Sequence, residues 1–277
     1  MALLGLAAIV AAGVFLGSNA RLTRRYAVTP EALPTSANHA LIARGEHLAT
    51  AATHCTGCHG ANLAGQVMVD APPFRIVAPN LTRGQGGAGA MSDADWVRAI
   101  RHGVAPDGTS LLLMPSSDFH ALNANDLAAI IAFVKSVPPV DNVLPDSELR
   151  PLGRALLLAD QLPILEAERI DHAASLGPPI PPGPTVAYGG YLVTVGSCRA
   201  CHGGNLAGAT VPDGSNFPAP AIIKAGLEGW SEATFVTAMR TGVAPDGKKL
   251  ATVMPWEAVG KLSDDELKAV WLYLQSQ

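Results

Sequence analysis

The sequence predicts an all-α protein: two tandem helical modules behind an N-terminal transmembrane helix. Three observations carry this reading. The hexapeptide GVAPDG occurs at Gly103 and again at Gly242, 139 positions on. Longer stretches around it recur in the same order. The first seventeen residues, MALLGLAAIVAAGVFLG, carry no side-chain charge.

The elements follow from the N-terminus. Residues 1–20 form an apolar run close to the ~20 residues that a membrane-spanning helix needs. With no basic stretch ahead of it, a retained anchor is expected rather than a cleaved signal peptide. Arg21, Arg24 and Arg25 come next, and the positive-inside rule puts basic flanks on the cytoplasmic face. The chemistry read from the cysteines below points to the opposite face. The first module occupies residues 38–138 and the second 186–277. HCTGCHGANLAG (54–65) pairs with SCRACHGGNLAG (197–208), and SDADWVRAIRHGVAPDG (92–108) with SEATFVTAMRTGVAPDG (231–247). LNANDLAAIIAFVKS (122–136) pairs with LSDDELKAVWLYLQS (262–276). Two copies make a tandem duplication, not a solenoid.

Within each module a short helix runs into a cysteine pair. Ser92 and Ser231 are natural N-caps for a middle helix that carries Trp96 and Ile100, or Phe235 and Met239, on one face. A final helix shows the i, i+3, i+4, i+7 stripe: Leu127, Ile130, Ile131 and Val134 in one copy, Leu267, Val270, Trp271 and Leu274 in the other. Ser263 with Glu266 fits a capping box, and Asn123 with Asp126 is its weaker counterpart. No strand alternation is evident. Residues 139–185 are not repeated and are rich in proline. They hold one apolar helix, expected over 152–162 and broken at Pro163. It is too short to span a bilayer, and three roles are open to it: packing across the modules, docking on a membrane partner, or serving as a tether.

The chain contains four cysteines, and its formal net charge of −4 gives no basic footprint for nucleic acid. Cys55 and Cys58 precede His59, and Cys198 and Cys201 precede His202. C-x-x-C-H is the attachment motif of c-type haem. Thiols one helical turn apart reach the porphyrin as thioethers, and the adjacent histidine projects as an axial iron ligand. A disulfide, a redox dithiol and a zinc site are the competing readings. A shared zinc leaves the repeated histidines unexplained. Two haem c groups are therefore expected. Met114-Pro115 and Met254-Pro255 lie at matching places after the GVAPDG turn and are the candidate sixth ligands, because a thioether is a soft iron ligand. The proline restricts the methionine backbone. Met68 and Met91 have no methionine at the equivalent place, and Met239 is a core residue.

Each half resembles a class I cytochrome c domain. APNLT (78–82), the SDADWVRAIRHGVAPDG stretch and the MP…L-x-x-x-D-L-x-x-I-x-x-F ending are similar to the haem subunits of bacterial membrane dehydrogenases, such as those of alcohol and gluconate. Many family members carry three haem motifs and this chain has two. The resemblance implies that the first and last helices of each module cross, Gly45 against Phe133 and Gly189 against Tyr273. It places Asn80 in the stretch passing the haem edge, although its counterpart is Ala221. His102 and His120 are secondary ligand candidates for the first haem, whereas His39, His47, His54 and His172 read as surface or locally bonded. Arg83, Arg98, Arg101 and Arg240 are candidates for haem propionates.

The expected function is one-electron transfer, with no catalytic residues, in a membrane-anchored chain whose haem domains face the periplasm. Its partners are redox proteins of a larger respiratory or photosynthetic membrane complex. The alternative is a di-haem oxidoreductase, peroxidase-like or sulfur-oxidising, with one displaceable axial ligand.

Overall fold

The computed structural model describes residues 1–33, 38–211 and 217–277. Contacts divide the chain into two compact units. One comprises residues 1–32, 58–120 and 134–175, and the other residues 33–57, 121–133 and 176–277.

The first unit begins with α1 (Ala2–Leu22), a helix of mean hydropathy 1.9 that is long and apolar enough to cross a membrane. Its last turns dock on α7 (Pro151–Leu158). Gly17 lets the Leu158 side chain approach, since a Cβ there would stand 3.2 Å from it. Arg21 donates to the Leu157 carbonyl at 2.6 Å and pairs with Asp160 at 2.9 Å and Glu168 at 2.6 Å. The Arg154 guanidinium lies 4.7 Å from the centre of the Phe15 ring. α7 is shorter than expected. It starts on Pro151, where a missing N–H costs nothing, and stops before Asp160, whose φ of 53° is left-handed. Its Leu157 enters a core with Ile76, Leu149, Ile164 and Leu165. The apolar helix of the linker thus packs within this unit.

That core lies on a sheet that the sequence did not announce. β1 (Gln66–Ala71), β2 (Phe74–Ala78) and β3 (Glu148–Leu149) pair antiparallel in the order β1-β2-β3. The reason is physical: β1 exposes Gln66, Val67 and Met68 in succession and carries a register shift between Val67 and Val69, so no buried stripe alternates along it. The fold is accordingly mostly helical, not all-α. α4 (Asp93–His102) starts on the expected N-cap, Ser92, which also forms a capping box with Asp95, and ends on left-handed Gly103. α5 (Ser116–Phe119) follows the Met114 loop.

The second unit is built on two helix pairs. α2 (His39–His47) crosses α6 (Ala124–Ser136) at Gly45, and α8 (Val186–Val195) crosses α12 (Asp264–Gln275) at Gly189. A π-helical turn over Leu48–Ala52 continues α2, with no counterpart after α8. From Gly45 to Cys55 is one residue more than from Gly189 to Cys198. A π turn is how a helix absorbs a single extra residue. The unit also holds α9 (Cys198–His202), the short pair β4 (Ala209–Thr210) and β5 (Pro218–Ala219), α10 (Glu232–Thr241) and α11 (Trp256–Val259).

A polar network ties these two helix pairs together. Arg44 bonds Asp126 at 3.1 Å, Glu266 at 3.2 Å and the Tyr188 hydroxyl at 2.9 Å. His47 Nε2–H donates to Glu266 at 2.6 Å, and the Tyr191 hydroxyl donates to Asp126 at 2.7 Å. In the repeat, Arg44 stands opposite Tyr188, His47 opposite Tyr191, and Asp126 opposite Glu266. Each terminal-helix carboxylate thus receives a partner from the other copy's first helix. Burial alone would raise the Glu266 pKa. The hydrogen bonds from His47 and from the Ser263 N–H, with the charges of His47 and Arg44, override it and hold the carboxyl at about 2, against an ordinary 4.5. A depressed carboxylate contributes stability above its unfolded pKa and loses it as pH falls through the folded one. Glu266→Gln is therefore expected to cost about 3 kcal/mol near neutral pH. Urea midpoints measured from pH 7 to pH 2 should converge with those of wild type at the acid end. A constant difference across that range would remove the carboxylate from the account.

Candidate functional site

α3 (Cys55–His59) and α9 carry the two cysteine pairs as single helical turns. The residue before each turn, His54 or Ser197, is left-handed, at φ 51° and 55°. Cys58 is exposed and the other three cysteines are half-buried. The thiols of each pair are therefore within reach of a ligand lying beside the turn.

The histidines that close the motifs are buried, at 8 % and 6 % exposure. His59 Nδ1–H donates to the Pro79 carbonyl at 2.8 Å, and His202 Nδ1–H donates to the Pro220 carbonyl at 2.8 Å. A carbonyl only accepts, so Nδ1 carries the proton and Nε2 keeps its lone pair for a metal. Burial also pushes the His59 pKa down, which favours the neutral ligand form. These prolines are the residues that sequence reasoning missed. Their equivalent places in APN and APA were a signal, but a carbonyl partner is invisible in a side-chain alignment.

A duplicated backbone frame holds each histidine. Gly65 N–H bonds the His59 carbonyl at 2.8 Å, and Gly208 N–H the His202 carbonyl at 2.9 Å. Leu81 N–H reaches the Leu63 carbonyl at 2.9 Å, as Ile222 N–H reaches Leu206 at 2.9 Å. Leu63 and Leu206 are buried and left-handed, at φ 57° and 61°.

The GVAPDG copies share their turn bonds: Gly108 N–H returns to the Ala105 carbonyl at 2.8 Å, and Gly247 N–H to the Ala244 carbonyl at 2.9 Å. Gly103 and Gly242 cap their helices at φ 62° and 69°. Leu111 N–H and Leu250 N–H return to those glycines at 2.7 Å each. The methionine loops then differ by one residue, and the turn before the methionine absorbs it. Met114 N–H bonds Leu112 across a three-residue turn with Leu113 at φ 64°, whereas Met254 N–H bonds Ala251 across four residues. Beyond it the backbones reconverge: Pro115 has φ −77° and ψ 52°, and Pro255 has φ −79° and ψ 48°. His59 and Met114 share one unit, and His202 and Met254 share the other.

These residues fit haem c. Each copy offers two thiols on one turn, an imidazole held through Nδ1, and a methionine directly ahead of a proline. Each also leaves an apolar side chain open just before the methionine: Leu113 is 50 % and Val253 41 % exposed. A flat apolar ligand covers such positions.

Other candidates are otherwise engaged. His102 Nε2 lies 3.2 Å from Glu31 and its Nδ1 3.2 Å from His172, while His120 Nδ1–H donates to the Arg101 carbonyl at 3.1 Å. Arg101 pairs with Glu31 at 2.7 Å, Arg98 with Asp95, and Arg240 with Asp264 at 2.8 Å. Arg83 is exposed. Asn80 has a structural task, donating to the Val140 carbonyl at 2.8 Å and pinning the linker.

Comparison with known proteins agrees with this geometry. Residues 40–134 match the family model described as cytochrome C oxidase, cbb3-type, subunit III, and residues 186–277 match that of cytochrome c. The cytochrome c subunit of the quinone alcohol dehydrogenase of Gluconobacter oxydans is 31% identical over 87% of this chain and 55% of its own length. The gluconate 2-dehydrogenase cytochrome c subunit of Pantoea cypripedii is 30% identical over 87% of this chain and 60% of its own. The chain thus spans little more than half the length of these relatives. A protein of Cereibacter sphaeroides named as a di-haem c-type cytochrome is 25% identical over 98% of this chain and 96% of its own. Two copies of the same attachment site, each inside a matched cytochrome domain, identify the chain as a di-haem cytochrome c, similar to the cytochrome c subunits of bacterial dehydrogenases.

Proposed function

We propose that the chain is a membrane-anchored relay for single electrons, working inside a larger membrane complex of the dehydrogenase type. The observation that carries this is the duplicated presentation of one histidine and one methionine, with matching backbone around each histidine and after each methionine. Bound haem c supplies a one-electron iron couple. Cys55, Cys58, Cys198 and Cys201 would hold the two groups covalently, His59 and His202 through Nε2, and Met114 and Met254 through sulfur. With one histidine and one methionine of the chain as its ligands, each iron would have no place left for a substrate.

The setting is part of the same proposal. α1 is the anchor and both haem-bearing domains lie in the periplasm, where c-type haem is attached. Arg21 bridges Asp160 and Glu168, which gives the basic residue in the last turn of α1 a folded-state role apart from topology. The relatives named as dehydrogenase subunits support a partner enzyme that delivers electrons.

The test is carbon monoxide binding to the reduced, detergent-solubilised protein, followed by absorption spectroscopy. Neither haem is expected to respond on the seconds scale. Rapid binding at one haem would sink the relay reading and favour the oxidoreductase with a displaceable ligand. Co-purification from native membranes then identifies the partner complex.

A further inference from the structure

Three histidines gather in the first unit, away from the cysteine motifs. The His102 ring lies 5.4 Å from that of His172 and 5.5 Å from that of His120, centre to centre. Tyr26 packs edge-on against His172 at 5.7 Å. Arg101, fully buried, pairs with Glu31 at 2.7 Å and donates to the Ala174 carbonyl at 2.9 Å.

The bonds fix where the protons sit. His172 Nε2–H donates to the Ala167 carbonyl at 3.1 Å, so the neutral ring keeps its lone pair on Nδ1. His102 Nδ1–H therefore donates to that nitrogen, at 3.2 Å. His102 Nε2 is left facing Glu31 at 3.2 Å and Arg101 Nη1 at 3.3 Å. A carboxylate only accepts and a guanidinium only donates. Protonated Nε2 thus bonds Glu31, and unprotonated Nε2 bonds Arg101, so each state has its partner in place. Arg101 and Glu31 cancel, and this one proton sets the net charge of the group. His120 and His172 are the other bases beside it, and burial holds all three histidines below their ordinary pKa. The further charges are Asp171, acting on His172, and Glu166, which is paired with Arg169 at 3.1 Å.

The cluster is tied to the methionine loop of its own module. Ser116 Oγ–H donates to the Ala99 carbonyl at 2.9 Å, and His120 Nδ1–H to the Arg101 carbonyl at 3.1 Å. Both bonds land on the end of α4 that carries Arg101 and His102. The second module has no such group: Thr241 stands at the place of His102 and Gly260 at that of His120, while Arg240 is half-exposed and pairs with Asp264.

We propose that this cluster is a proton-binding site, taking up a proton at His102 Nε2 in step with electron uptake at the first module's haem. The electron comes from the partner enzyme and turns ferric iron ferrous; the proton comes from water, and both leave on reoxidation. Negative charge added at the iron favours positive charge added in the same weakly screened interior. The proposal rests on haem c held by Cys55, Cys58, His59 and Met114.

The test uses the full-length holoprotein in detergent. A haem count by pyridine haemochrome comes first, and two covalent haems per chain are expected. Potentiometric titration is then repeated from about pH 5 to pH 8, the range in which histidine changes charge, with Met114→His assigning each potential to its module. The first module's potential is expected to fall as pH rises, by about 59 mV for a tenfold difference in proton affinity between the two oxidation states. The second module's potential should stay level. His102→Gln, which keeps a hydrogen-bonding side chain but cannot take the proton, must flatten the first. Glu31→Gln, on the half-buried segment after α1, must move the pH-dependent region to lower pH, and it decides the matter if His102→Gln accumulates poorly. Two level potentials in wild type, equal slopes in both modules, or an undiminished slope in His102→Gln overturn the proposal alone. Fewer than two covalent haems in wild type overturn the attachment reading and this proposal with it.

Discussion

Replacing Met114 or Met254 by histidine, one at a time, is expected to lower one of two midpoint potentials by on the order of 0.1–0.3 V and to leave the other close to its starting value. Thioether sulfur is soft and favours ferrous iron, whereas a second imidazole favours ferric iron. The size of the effect depends on the loop delivering its side chain to the same place, and here the backbone is informative. Met114 and Met254 each hand their carbonyl to the N–H two residues on, Ser116 at 2.7 Å and Trp256 at 2.8 Å, with a near-identical proline between. A substituted side chain therefore starts from a fixed Cα and direction. Potentiometric titration followed optically checks the result and also assigns each potential to a module. Met239→Leu is the control, because that side chain is buried in the core and its exchange conserves volume. Two unchanged potentials in Met114→His would remove Met114 from the iron.

Much of this arrangement was legible in the sequence because it was written twice. One C-x-x-C-H or one Met-Pro admits several readings, and a second copy in register removes most of them. The serine caps and the terminal-helix stripes were legible for the same reason, since each depends on side-chain identity, whereas the glycine crossings followed from the family resemblance. What escaped depends on backbone. Pro79 and Pro220 act through carbonyls, and the π turn after α2 shows in sequence only as one extra residue between Gly45 and Cys55. The hairpin of β1 and β2 escaped because its first strand exposes consecutive residues, so its period of two never reaches the hydrophobic pattern.

The unrepeated features were harder still. His54 and Ser197 differ at equivalent places, and difference was read as lack of function. In the structure both residues hold the same left-handed backbone, at φ 51° and 55°, so the turn needs neither side chain. The network of Arg44, His47, Asp126, Tyr188, Tyr191 and Glu266 was missed by the same logic, because its symmetry exchanges cations for phenols. Comparing copies for identity finds the cofactor frame. Finding what joins the copies requires looking for complementarity instead.

Gly45→Ala and Gly189→Ala are each expected to destabilise the protein by about 4 kcal/mol, the upper end of single-residue effects. By propensity alone the sign would be opposite, since alanine in a helix interior is better than glycine by roughly 1 kcal/mol. Contact reverses it. A Cβ on Gly45 would stand 1.9 Å from the Ala129 carbonyl oxygen and 2.8 Å from Phe133 Cβ. On Gly189 it would stand 1.9 Å from the Ala269 carbonyl oxygen and 2.9 Å from Tyr273 Cβ. The first obstacle in each case is the backbone of a helix, which no rotamer change can move, so the crossing itself must open. Gly190→Ala is the discriminating comparison. Its nearest obstacle is the Tyr273 ring, at 2.8 Å, and a side chain can turn aside, so a loss of about 1 kcal/mol is expected. Urea titration of the holoproteins should rank Gly190→Ala well above the other two in stability. Equal midpoints for Gly189→Ala and Gly190→Ala would mean that the helices slide freely at the crossing, and the close approach would then be a consequence of packing elsewhere and not its cause.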